Sequence, residues 1–95
     1  MSELLEKRYI ANPELVLSEE ADGCLLFNPS NGEIQAFNES GAYLYGLLID
    51  GCTGLELIES LLNDFSGIER SQAEADVSEF LQMAIKLELV SEVPA

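Results

Sequence analysis

A chain of 95 residues with 47% apolar content has the means to build one core, near the lower size at which domains fold unaided. Eighteen acidic residues against four basic ones, with no histidine, give a net charge of −14. That charge argues against nucleic-acid binding and against anionic membrane surfaces, both of which need clustered Lys and Arg.

No apolar run approaches the ~20 residues that a spanning helix requires. The start Met1-Ser2-Glu3-Leu4-Leu5-Glu6-Lys7-Arg8 has no basic stretch leading into an apolar one, so it does not read as a signal peptide and a cytoplasmic protein is expected. Residues 1–12 are expected to be an N-terminal arm, mobile or forming a short helix, up to the boundary signal Asn12-Pro13. Glu14 to Ser18 is β-compatible and predicts a first strand. Glu19 to Gly23 predicts a turn, and the apolar run Cys24 to Phe27 a buried second strand. Asn28-Pro29-Ser30-Asn31-Gly32 is a hairpin turn. Glu33-Ile34-Gln35-Ala36-Phe37 alternates polar and apolar and predicts a third strand with one face on a core.

Everything after Asn38 reads as helical. Asn38 caps a helix running to about Asp50, with Tyr43, Leu44, Leu47 and Leu48 on one face. Thr53-Gly54-Leu55-Glu56 is a capping box that opens a second helix through Phe65. Ser71-Gln72-Ala73-Glu74 has the same pattern and opens the longest helix, to about Glu88. Leu89-Val90 closes the domain as a short extension, leaving 91–95 as a tail. The domain proper is therefore expected over 13–90.

The last helix has a surplus of apolar positions. Ala73, Val77, Phe80, Leu81, Met83, Ala84, Ile85 and Leu87 span an arc of roughly 200°, where one core needs little more than ~100°. The extra flank covers another core element, a second subunit or a ligand.

Chemistry is conspicuous by its absence. Without histidine the commonest general base and metal ligand is missing. Cys24 and Cys52 have no activating partner and no C-x-x-C spacing, so they read as small core residues and not as a disulfide. No P-loop, EF-hand or dinucleotide-binding spacing occurs. The chain is expected to be no enzyme and to need no cofactor or metal. An acyl carrier protein, also small and acidic, needs an exposed serine within Asp-Ser-Leu; Ser40 lies in Asn38-Glu39-Ser40-Gly41, after a hairpin that an all-helical carrier lacks.

In order, these segments resemble the PqqD-like family, the stand-alone RiPP recognition elements that bind leader peptides of ribosomally made, modified peptides. The resemblance rests on Leu25-Leu26-Phe27-Asn28-Pro29 through Gly32, on Phe37-Asn38-Glu39-Ser40-Gly41-Ala42-Tyr43-Leu44, on Leu47 to Gly51, on Thr53 to Ile58, and on Asp76 to Leu81 leading to Leu89-Val90. It covers about residues 9–90. Two departures stand out: Cys52, where the family often has a basic residue, and Glu88, where it usually has a glycine. The second implies a helix stop without the left-handed glycine cap.

The resemblance implies an α+β, winged-helix-like fold: a three-stranded antiparallel sheet followed by three helices. It also implies that a leader peptide adds as a strand along Glu33, Ile34, Gln35, Ala36 and Phe37, in a groove shared with the last helix. Strand addition draws affinity from main-chain hydrogen bonds and specificity from neighbouring pockets. On the helix the expected pocket residues are Val77, Phe80, Leu81 and Ala84, with Asp76 and Lys86 as polar selectors. The implied partners are a precursor peptide and a modifying enzyme such as a radical SAM protein, a cyclase or a leader protease. A degenerate winged-helix regulator, or an interaction subunit that forms a homodimer through the same edge, is the alternative.

Overall fold

Turn chemistry sets the first sheet. In the computed structural model, which describes residues 3–93, β2 (Val16–Glu20), β3 (Gly23–Phe27) and β4 (Ile34–Asn38) form an antiparallel meander in the order β2-β3-β4. The first connection is the two-residue loop Ala21-Asp22 between the paired residues Glu20 and Gly23, so the strand runs further than Ser18. The second is a four-residue loop closed by the Asn28 N–H on the Glu33 carbonyl at 2.9 Å. Gly32 takes φ 77° there, a conformation that its missing Cβ makes accessible.

Side chains alternate across this sheet. Cys24 and Leu26 turn inward, while Phe27 is 39% and Ile34 64% exposed. The apolar run of β3 is therefore buried on one face only. On β4 the inward residues are Gln35 and Phe37, and Ile34 and Ala36 face out. Phe37 decides the phase: its ring lies 6.0 Å from Tyr45 and 5.5 Å from Phe80, and a strand cannot place neighbouring residues on one face.

Three helices follow. In α2 (Glu39–Leu48) Asn38 caps as expected, accepting the Gly41 N–H at 2.9 Å. In α3 (Gly54–Asp64) the capping box forms in full, Glu56 N–H to Thr53 Oγ1 at 3.1 Å and Thr53 N–H to Glu56 Oε1 at 2.8 Å. The longest helix, α4 (Arg70–Lys86), starts from Glu69 without a side-chain cap. The expected box at Ser71 does not form: Ser71 lies inside the helix, and the Glu74 carboxylate sits 3.4 Å from Arg70, which also bridges Glu59 at 2.6 Å.

The end of α4 is a Schellman turn, with Leu89 N–H on the Ala84 carbonyl at 2.8 Å and Glu88 N–H on that of Ile85 at 3.1 Å. Glu88 itself takes φ 59°. The left-handed cap is thus kept, with a glutamate in the glycine's place. Asn12 holds it, its N–H on the Leu89 carbonyl at 2.9 Å and its Nδ2 on that of Glu88 at 3.2 Å.

The arm expected over residues 1–12 is, from Glu3 onward, a short helix α1 (Glu3–Glu6) and a strand β1 (Arg8–Ala11); Met1 and Ser2 lie outside the described residues. β1 is the middle strand of a second antiparallel sheet, between β5 (Cys52–Thr53) and β6 (Val90–Val93). The tail expected over 91–95 therefore contributes Ser91 to Val93 to a sheet, while Pro94 and Ala95 lie outside the described residues. Tyr9 is 1% exposed, and its hydroxyl donates to the Leu4 carbonyl at 2.7 Å. The core joins both ends of the chain: Leu5 and Tyr9, Leu26, Leu44, Tyr45 and Leu48 of α2, Leu57, Ile58 and Leu61 of α3, the inner face of α4, and Leu89-Val90. Among the described residues no helix is long and apolar enough to cross a membrane.

Candidate functional site

A groove of about 500 Å³ runs between β4 and α4. Gln35, Ala36 and Phe37 form one wall, and Asp76, Glu79, Phe80 and Met83 the other. Leu44 and Leu61 line its apolar floor, and Phe65 and Ile68 close the side where α3 turns into α4. The Tyr43 ring meets Phe65 edge-on at 5.0 Å, and its hydroxyl donates to the Asp64 carboxylate, which secures that closing side. Burial and then the Asp64 hydrogen bond push the Tyr43 phenol up to about 12.

The hydrogen-bond phase of β4 follows from its turn. Asn28 and Glu33 are bonded across the hairpin, and bonded pairs alternate with non-bonded ones along an antiparallel ladder. Leu26:Gln35 and Cys24:Phe37 are then the bonded pairs. Ile34 and Ala36 turn their N–H and C=O outward. β4 is an edge strand, so these groups are free to pair with an incoming strand.

The expected site residues divide into four groups. Gln35, Ala36, Phe37, Asp76 and Phe80 come together in the groove. Glu33 and Ile34 line a small separate cavity of about 60 Å³, with Leu87 and Leu89, which shares Gln35 with the groove. Val77, Leu81 and Ala84 are 0% exposed and face the core, one helix face away from the groove. Lys86 is exposed beyond the groove's lining. The wide apolar arc of α4 thus serves two surfaces, the core through Val77-Leu81-Ala84 and the groove through Phe80 and Met83. Sequence reasoning did not reach Glu79, Met83, Leu44, Leu61, Phe65 and Ile68. The first two follow from Asp76 and Phe80 at helical spacing; the others depend on tertiary packing.

The thiols are poor nucleophiles where they sit. Burial pushes Cys52 up to about 11 and also raises Cys24, so neither carries much thiolate at neutral pH. Among the described residues no group of Cys, Asp or Glu is arranged to hold a metal ion. What the site offers chemically is open main-chain edge beside an apolar trough.

The architecture is similar to two solved structures. One is TbiB1 in complex with the TbiA(beta) leader peptide, 20% identical with a TM-score of 0.78, the match covering 90% of this chain and 99% of that one. The other is a lasso peptide synthetase B1 complexed with the leader peptide, 22% identical with a TM-score of 0.72, covering 90% and 98%. No curated protein sequence matches. The family model of coenzyme PQQ synthesis protein D (PqqD) matches residues 23–90, a span that holds both walls of the groove, and the chain belongs to the PqqD family.

Proposed function

We propose that this chain binds the leader segment of a ribosomally synthesised precursor peptide by strand addition and presents it, without chemistry of its own, to a modifying enzyme. The observation that carries this is the free edge of β4: Ile34 and Ala36 offer backbone donors and acceptors directly beside an apolar groove. Main-chain pairing of this kind tolerates many sequences, while the groove selects side chains. The family membership and the leader-peptide complexes of the two structural neighbours support the same reading.

In this reading the leader pairs along Glu33 to Phe37, and its apolar side chains rest on Phe80, Met83 and Leu61. Asp76 stands at the margin, and Val77, Leu81 and Ala84 support the wall from beneath. The partner enzyme is of the radical SAM, cyclase or leader-protease type, and the complex works in the cytoplasm.

A pair of proline variants tests it. Ala36→Pro removes an edge donor that no protein group uses, so the fold should persist while a leader peptide from the same biosynthetic gene cluster loses at least about tenfold in affinity. Gln35→Pro removes the donor facing Leu26 and should weaken the sheet itself. Titration calorimetry beside thermal unfolding separates the two effects. Unchanged leader affinity in a well-folded Ala36→Pro would overturn strand addition at β4.

A further inference from the structure

The two ends of the groove differ in charge: Glu33 is the one carboxylate lining the Ile34 end, and the Asn38 end carries more. Asp76 and Glu79 line it beside the start of α2, and the wide depression that continues past Asn38 and Ser40 is lined by Asp22 and Glu39. Among the described residues no basic one lines either space. The ion pairs lie elsewhere and take up four acids: Lys7 pairs with Glu92, Arg8 with Glu56, and Arg70 with Glu59 and Glu74. Among the described residues, none of the four groove carboxylates has a cation within ion-pairing distance. Glu39 complements the first-turn N–H groups of α2, and Asp76 accepts from Gln72 Nε2 at 2.9 Å; neither contact neutralises the charge. Asp76 and Glu79 also stand three residues apart on one helix face, where like charges repel.

Resting on the leader-binding reading, we propose that this site selects extended segments in which an apolar anchor is followed, at the Asn38 end, by lysine or arginine. The apolar floor takes the anchor, and the basic side chain meets Asp76 and Glu79 where the groove widens. The opposite end, where Ile34, Leu87 and Leu89 meet, takes apolar side chains; its one carboxylate, Glu33, accepts a hydrogen bond from Asn31 Nδ2 at 2.9 Å. An acidic segment is rejected at the Asn38 end by repulsion from four unpaired carboxylates.

The test is selection of a random 15-residue peptide display library on the full chain, followed by affinity measurement of the winners. Enriched peptides should carry Lys or Arg at a fixed distance from an apolar residue. Replacing that base by Gln should cost about three- to tenfold in 20 mM salt and under about twofold in 0.5 M salt, since exposed pairs are modest and screened. The exposed double variant Asp76→Lys/Glu79→Lys should prefer Glu at the same peptide position. The control Glu3→Lys/Glu14→Lys, with the same net charge but reversed outside the groove, should keep the preference for base. Winners without a fixed base, or an unaltered preference in Asp76→Lys/Glu79→Lys, would overturn this charge selectivity and leave strand addition standing. A selection that yields no groove-binding peptide, with the protein folded, would remove the leader-binding reading beneath it.

Discussion

Glu88 is the one non-glycine residue with positive φ among the described residues, and its strain is held by its neighbours. An L-residue in the left-handed region costs about 1–2 kcal/mol, yet Asn12 and the Tyr45 hydroxyl, 3.0 Å from the Leu89 carbonyl, fix the backbone around it. Glu88→Gly should therefore stabilise the fold, by about 0.5–1 kcal/mol once the extra entropy of the unfolded glycine is subtracted. Urea unfolding reads this directly; a lower midpoint would mean that the Glu88 side chain stabilises more than its backbone costs. Tyr43 makes a prediction of the opposite kind. Its phenol is pushed from 10.0 up to about 12, so the neutral form is the one that the fold favours. That stabilisation is complete below about pH 10 and is lost as pH rises through about 12. Tyr9 and Tyr45 are raised by burial in the same direction. The urea midpoint should stay flat up to the ordinary phenol range and then fall, and Tyr43→Phe should flatten part of that fall. At neutral pH the same variant should lose about 1 kcal/mol, the worth of a half-exposed hydrogen bond to a carboxylate.

Among the elements, α1 and α3 meet more closely than any side chain allows. A Cβ on Gly54 would lie 2.7 Å from the Leu5 Cα and 3.0 Å from the Leu5 carbonyl oxygen. Gly54→Ala should thus destabilise by about 1–3 kcal/mol through overpacking, although alanine favours a helix by about 1 kcal/mol. A rise in the urea midpoint would show that α1 yields freely. The elements legible in the sequence were those written in local chemistry. Asp22-Gly23 and Asn31-Gly32 announced the meander, and Asn38 and Thr53 with Glu56 announced two helix starts. β1, β5 and β6 were not legible as a sheet, because Tyr9 pairs with Cys52 and Glu92 and strands of two to four residues carry no period. The groove was half legible for a related reason. Periodicity gives the width of the apolar arc on α4 but not its neighbours, and of the four apolar residues expected in the groove Phe80 lines it while Val77, Leu81 and Ala84 turn to the core.

At the scale of the molecule, the wing-like meander carrying the free edge belongs to one sheet, and the two ends of the chain belong to the other. β1 lies between β5 and β6, and it buries Tyr9 to 1% and Ala11 to 8% exposure. Arg8 adds a hydrogen bond to the Gly51 carbonyl at 3.3 Å and an ion pair with Glu56 at 3.5 Å. Asn12, just after the strand, holds the end of α4 and with it the helix that walls the groove. A segment that resembles a dispensable arm in sequence is therefore central to the packing. Tyr9→Ala alone should cost about 3–5 kcal/mol, the usual range for an aromatic removed from a core. Deleting residues 1–11 removes β1 whole, splits β5 from β6 and uncovers Gly54. Set against the about 5–15 kcal/mol that holds a domain together, this loss should abolish cooperative unfolding and peptide binding together. Circular dichroism melts and a leader titration on the deletion variant check both. A sharp melt with the peptide still bound would mean that the meander and α2 to α4 stand on their own, and that β1 only decorates them.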